Sequence, residues 1–260
     1  MKNQENLYTA YRKWQREDAR QNEGIVVASD MTQEWLLPWW WDHYSRHNSH
    51  PVSFVDFGMS FEMKKWCKEH GELLPLHVAD IFVSERQEIS SSLVQEWESG
   101  NGRQFWPNRN AWFKKPLACL LSPYQKSIWI DLDCEIKGSI KTLFSLCENA
   151  AGIAIAREVV GFNSGVIVFK RGIPLIESWA SKSLDENHTF FGDQDILSKI
   201  IEEENIEVIE LSPIYNWSRF YESNPNAVIL HWHGPHGKSV ITHQIMQANL
   251  ESLELLNKKT

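Results

Sequence analysis

Apolar and polar residues follow two rhythms along this chain, one of period two and one near 3.6, and the switches between them predict its elements. Short β-branched runs bounded by small or acidic residues predict buried strands at Ile25-Val26-Val27-Ala28-Ser29-Asp30, Val52–Phe57, Ser127–Ile130, Gly152–Ile155, Gly165–Phe169, Ile206–Leu211 and Ala227–Leu230. Helical spacing predicts helices from about Thr32, and over Phe61–His70, Ala111–Leu121, Ile140–Cys147, Ile173–Ser183, Gln194–Glu204 and Val240–Leu256. Strands and helices alternate throughout, which predicts an α/β domain with a largely parallel, buried sheet and ligands beyond the carboxyl ends of its strands. There is no internal repeat and no low-complexity linker.

Three stretches stand apart from that alternation. Residues 1–22 are polar, with Leu7, Tyr8, Tyr11 and Trp14 near helical spacing, and predict an amphipathic helical leader before one domain over residues 23–260. Ser90–Pro107, with its serines and with Gly100 and Gly102, predicts a mobile surface segment or lid. Trp39, Trp40 and Trp41 are consecutive, so a helix fans them over different faces; edge-of-core packing follows, with at least one ring near the surface.

Composition narrows the function classes. With 42% hydrophobic residues in 260, the chain has ample material for a core, and no window reaches the roughly 18 apolar residues of a membrane span. Met1–Glu5 lacks the apolar core of a signal peptide, and Cys67, Cys119, Cys134 and Cys147 show no paired spacing. A reduced, cytoplasmic protein without structural zinc is expected. The net charge of −8 argues against a nucleic-acid binder. Apolar residues at helical spacing over Ile241–Leu256 favour core packing, and the acids among them oppose strong attraction to anionic membranes, leaving weaker peripheral contact open. Thirteen tryptophans serve cores first, but such rings also stack on sugar faces.

The chemistry concentrates in four polar clusters at element ends. Asp131-Leu132-Asp133 follows the apolar strand run, and two residues of spacing on an extended backbone turn both carboxylates to one face. Their repulsion would raise one pKa unless a divalent cation relieves it. Two solvated acids at a strand end are the plainer reading. Phe162-Asn163-Ser164-Gly165 fits a turn before a strand, and in Gly192-Asp193-Gln194-Asp195 the first acid fits a helix N-cap. His231-Trp232-His233-Gly234-Pro235-His236-Gly237-Lys238 places an imidazole at a strand end beside a glycine-rich turn, whose N–H groups and lysine suit phosphate oxygens. Two carboxylates and one imidazole form a donor set for Mn²⁺, and less so for Mg²⁺.

The order of these clusters between Gly24 and Lys238 resembles the GT-A-fold (Rossmann-like) nucleotide-sugar glycosyltransferases, nearest to the family 8 retaining enzymes that include glycogenin and bacterial lipopolysaccharide galactosyl- and glucosyltransferases. The resemblance implies a nucleotide-diphospho-sugar transferase fold and transfer of glucose or galactose from a UDP-sugar to a saccharide, lipid-linked or protein acceptor. It implies that Asp131, Asp133 and His231 bind the metal, and that Ala28, Ser29 and Asp30 hold the uridine. Donor contacts fall on Asn163, Ser164, Gly165, Asp193, Leu132 and Gly234, with Gln194 beside the reacting carbon, and the catalytic candidates are Gln194, Asp195 and Asp193. A basic residue near the donor falls on Lys114 or Lys115. The family's last lysine lies three residues after the glycine and precedes Pro-Trp; here Gly237 occupies that position and Lys238 comes one later.

The chemistry so implied is retention by front-face attack or through a covalent adduct, and Gln194 is a poor nucleophile, which favours the former. A sugar nucleotidylyltransferase shares such a sheet and paired acids but needs a glycine-rich loop where this chain has Ala28–Gln33. A non-catalytic nucleotide-sugar- or carbohydrate-binding protein on the same fold is the other alternative, and the displaced lysine is its support.

Overall fold

A computed structural model describes residues 21–76 and 82–257 of the chain; apart from Gln21 and Asn22, which open the first strand, the expected leader lies outside the described residues. The described residues form ten strands and seven α-helices: β1 (Gln21–Ser29), α1 (Leu36–Ser45), β2 (Val52–Asp56), α2 (Phe61–His70), β3 (Glu72–Pro75), α3 (Ser91–Asn101), α4 (Arg109–Leu120), β4 (Tyr124–Ile130), β5 (Cys134–Ile136), β6 (Ile153–Arg157), β7 (Phe162–Lys170), α5 (Pro174–Asp185), α6 (Asp193–Glu203), β8 (Ile209–Glu210), β9 (Trp217–Ser218), β10 (Ile229–His231) and α7 (Gly234–Asn257).

The main sheet has the order β3-β2-β1-β4-β7-β6-β8. Neighbours are parallel except for β7, which runs against both β4 and β6. The carboxyl ends of β1 and β4 therefore share an edge with the beginning of β7, and two of the predicted clusters meet there. Both faces of the sheet are covered, so its strands are apolar on both sides. Val26, Trp129, Ile167 and Phe169 enter one core with α4, α5 and α6. Ile25, Val27, Ile128, Ile130, Val166 and Val168 enter the other with α1. Side chains of this size contribute roughly 1.5–3 kcal/mol each on full burial, which sets the register of the central strands firmly.

A second sheet, β5-β10-β9, places His231 opposite Cys134 in antiparallel register. The third cluster thus arrives beside Asp133, whose carbonyl accepts a 2.8 Å hydrogen bond from the Trp232 N–H.

Several expectations are corrected. The first helix starts at Leu36, not Thr32, because Asp30 Oδ1 accepts from the Thr32 and Gln33 N–H groups and holds a turn there. Residues 141–147 form 3₁₀ turns, and the strand expected over Ile206–Leu211 contracts to Ile209–Glu210. Within Ser90–Pro107, expected as a mobile surface segment or lid, residues 91–101 form α3, capped by Gly102 at φ 69°, and Val94, Trp97 and Phe105 join Ile89 in an apolar cluster. Gly102, at positive φ, terminates that helix. The glycine-rich turn after His231 is likewise the first turn of α7; a side chain at Gly237 would meet the Trp232 carbonyl oxygen at 1.7 Å. The tryptophan run behaves as expected, with Trp39 and Trp40 buried and Trp41 half-buried against Phe54 and Trp66. On α7, Ile241 is buried while Met246 and Leu250 are exposed, so core packing accounts for part of that helix only. None of the described helices is long and apolar enough to cross a membrane.

Candidate functional site

At the shared edge of β1, β4 and β7 lies a cavity of about 650 Å³, lined by all four predicted clusters. Asp131-Leu132-Asp133 occupies the turn between β4 and β5, closed by a 3.1 Å hydrogen bond from the Cys134 N–H to the Asp131 carbonyl. The two carboxylates converge because the chain turns, not because it is extended, which corrects the pleat argument. His231 Nε2 lies 3.2 Å from Asp133 Oδ1 and 3.9 Å from Asp131 Oδ2. Gly165 makes room for this ring: a side chain there would meet His231 Cε1 at 2.3 Å.

Each acid has a cationic neighbour. Lys115 Nζ is 3.0 Å from Asp131 Oδ1 and 3.6 Å from Asp193 Oδ2, and donates to Ser164 Oγ at 2.9 Å. Burial disfavours its charge, but Asp131 and Asp193 outweigh that and hold its pKa above the ordinary lysine value. Lys114 points elsewhere, donating to the Phe57 carbonyl at 3.2 Å, so the alternative left open between the two lysines resolves to Lys115 as the one at the cavity. Lys238 Nζ donates to Asp133 Oδ2 at 3.1 Å; the displaced lysine, near the start of a helix, still reaches the site. Burial works against the Asp133 carboxylate, yet Lys238 outweighs it and holds the acid ionised with a pKa below the ordinary range.

Asp193 is the contrasting acid. Buried at the start of α6, it accepts from Ser164 Oγ at 2.9 Å. Burial pushes its pKa up to about 6 against the pull of Lys115, with Asp131 adding to the rise. The helix cap expected of Asp193 belongs to Asp195, whose Oδ2 accepts from the Gly192 N–H at 2.9 Å. Asp195 does not line the cavity, whereas Gln194 does.

Ala28, Ser29 and Asp30 line the other end with Gln33. Asp30 Oδ1 is occupied by the turn that delays α1, accepting from Thr32 Oγ1 at 2.7 Å as well as from the two N–H groups. Asn163 also faces inward, but its Oδ1 accepts from the Gly165 N–H and its Nδ2 donates to Glu158 Oε1 at 2.7 Å. His233, hydrogen-bonded to Ser218 Oγ, has its pKa brought down to about 4 by burial and by His231, with Asp133 opposing, and is neutral near pH 7.

The donors here can suit a metal. Asp133, Cys134 and His231 each offer a ligand atom within 4.8 Å of the others, a grouping able to hold a divalent ion. Cys134 is fully buried in the apolar core, and burial followed by Asp133 and Asp131 raises its thiol pKa well above the ordinary value. It stays an S–H. Asp131, half-exposed at the cavity, is the better third donor, giving an oxygen-oxygen-nitrogen set that suits Mn²⁺ or Mg²⁺ over zinc.

Some site residues carried no sequence signal. Trp129, which reads only as a strand residue, donates its Nε1–H to Asp131 Oδ1 at 2.7 Å. Asn216, on a loop far along the chain, bonds both Asn163 and His231. Phe105, Trp112 and Phe191 form an aromatic end of the cavity, drawn from three separate segments.

No protein-family model and no curated protein matches the chain. Solved structures do. The glycosyltransferase GlyE of Streptococcus pneumoniae TIGR4 is 18% identical, with a TM-score of 0.53 over 83% of this chain and 55% of that one. The galactosyltransferase LgtC, solved with donor and acceptor sugar analogs, is 15% identical, with a TM-score of 0.56 over 82% of this chain and 87% of that one. Mouse xyloside xylosyltransferase 1 is 17% identical, with a TM-score of 0.51 over 81% and 97%. This chain thus spans about half the length of GlyE. The fold is the GT-A, Rossmann-like α/β arrangement with a largely parallel central sheet.

Proposed function

We propose that this protein is a metal-dependent glycosyltransferase that moves a hexose, glucose or galactose, from a UDP-sugar to a hydroxyl acceptor with retention of configuration. The observation that carries the reading is the convergence of Asp131, Asp133 and His231 at the mouth of β4, inside the cavity that Ala28, Ser29, Asp30 and the first turn of α7 also line. Bound by those three side chains, Mn²⁺ supplies charge neutralisation for a departing diphosphate. The N-terminal turn of α7 presents its dipole to the same anion.

Lys115 holds Asp131 and Asp193 together, and so ties the metal-binding acid to the wall that meets the donor sugar. Gln194 faces the cavity beside it but is too weak a nucleophile for an adduct. Asp195, the other candidate, is spent capping α6. Front-face attack by the acceptor hydroxyl is the reading these placements favour. A second reading, a nucleotide-sugar-binding protein without turnover, draws on Lys238, which pairs with Asp133 and so is engaged at the acid instead of at a phosphate.

One experiment separates the two. UDP-sugars are screened for Mn²⁺-dependent release of UDP, with Asp133→Ala as the control. UDP release from UDP-glucose or UDP-galactose, reduced at least about 10²-fold in Asp133→Ala, is the expected result. Binding of UDP and Mn²⁺ without release from any donor supports the second reading. Activity in Asp133→Ala equal to wild type would sink the site assignment.

A further inference from the structure

The hydrogen bonds behind His231 form a directed chain that starts at a backbone donor. The Gly165 N–H lies 2.8 Å from Asn163 Oδ1, so that atom must be the amide oxygen, and the Asn163 nitrogen then meets Glu158 Oε1 at 2.7 Å. Asn216 also contacts Asn163 Oδ1, at 2.8 Å, and only its Nδ2 can donate there. This turns Asn216 Oδ1 toward His231 Nδ1 at 3.0 Å. An amide oxygen only accepts, so Nδ1 carries a proton, and in the neutral ring Nε2 presents its lone pair to Asp133 Oδ1, 3.2 Å away. With the ring neutral, a divalent cation between the two acceptors would satisfy both.

We propose that Asn216, held in orientation by Asn163, is a positioning residue that locks His231 in the Nδ1–H tautomer and so keeps Nε2 available as the metal donor. The proposal rests on the metal-dependent reading above and adds to it the residue that prepares the ligand. Metal-bound histidines in general donate their second ring nitrogen to an acceptor, and loss of that acceptor weakens metal affinity by about 10–100-fold. Here the acceptor is a neutral amide whose own orientation is fixed from the backbone. Asn216 is buried, and its amide meets Asn163 on one side and the imidazole on the other.

The test reads the tautomer directly. Ring ¹⁵N shifts of His231 are recorded in the metal-free protein with the ring neutral, and Mn²⁺ affinity is measured by electron paramagnetic resonance. Wild type is expected to show a protonated Nδ1 and a bare Nε2. Asn216→Leu and Asn216→Ala both remove the acceptor, one keeping most of the volume and one giving it up, so a folding defect in either leaves the other to be read. Each is expected to shift the proton to Nε2 and to weaken Mn²⁺ by about 10–100-fold, while Asn216→Asp, which keeps the oxygen, retains a protonated Nδ1. Folded Leu or Ala variants with the wild-type tautomer and wild-type Mn²⁺ affinity would overturn the proposal. A wild type that shows the Nδ1–H form yet binds no Mn²⁺ overturns the metal-dependent reading and leaves the tautomer lock standing.

Discussion

Around the end of β4, Asp131, Asp133, His231, Asn163 and Ser164 hold one another in place through polar contacts. Across the same cavity, Phe105, Trp112 and Phe191 are held by an apolar cluster that forms its own small core with Ile89, Val94 and Trp97. The polar wall is set by charge and by proton positions, so it responds to pH, metal and single-atom substitutions. The aromatic wall is set by packing around Arg109. That guanidinium is buried, donates to the carbonyls of Ser84, Asn187, Phe190 and Phe191, and lies 5.0 Å from the centre of the Trp97 ring. Burial lowers its pKa to about 10, so it remains a cation at neutral pH. A cavity with one electrostatic wall and one packed wall can hold a charged donor at one end and a flat, uncharged face at the other.

The largest separation of the two walls is expected from Arg109→Met. Four carbonyls lose a charged donor, which costs at least about 3 kcal/mol. The expected outcome is protease cleavage within residues 84–108 and loss of turnover, with Mn²⁺ affinity within a few-fold of wild type. An equal loss of Mn²⁺ affinity would show that the walls are one structure.

A smaller effect sharpens the boundary between them. Asp193 has its folded pKa raised from 3.8 to about 6, mainly by burial. A raised carboxylate pKa means the folded state binds the proton more tightly: its contribution to stability is present below about pH 4 and is lost as pH rises through 6. Asp193→Asn is therefore expected to stabilise the protein above pH 6, by about 2 kcal/mol in urea unfolding, with the gain vanishing near pH 4. Lys115 keeps Asp131 at 3.0 Å as its partner. A gain that does not change with pH would mean that burial is not what burdens Asp193.

Most of the sheet was readable in advance because its strands are buried on both faces, and a run such as Ile25–Ala28 admits few other solutions. The reversed β7 was not readable, since Gly165–Phe169 is equally apolar in either direction. Asp131, Asp133 and His231 were readable as a donor set because each ends an apolar run, and strand ends are where side chains meet solvent. What brought them together was hidden: a turn at Leu132, the antiparallel pairing of β10 with β5, and a glycine at 165 that admits the imidazole. Asn216 was invisible for a different reason. Its role depends on two partners 53 and 15 residues away, and nothing in Tyr215-Asn216-Trp217 hints at either. Serine and glycine in residues 90–102 hid α3 because the same residue types that make loops also bound helices.

On the proposed function, Asp131, Asp133 and His231 hold a divalent cation together with a nucleoside diphosphate. Calorimetric titration of Mn²⁺ into the protein, with and without UDP, tests it most directly. UDP is expected to tighten Mn²⁺ at least about tenfold, Mn²⁺ to tighten UDP by the same factor, and Asp133→Ala to abolish both effects. Mn²⁺ and UDP binding independently of each other, or coupling that survives in Asp133→Ala, would contradict it.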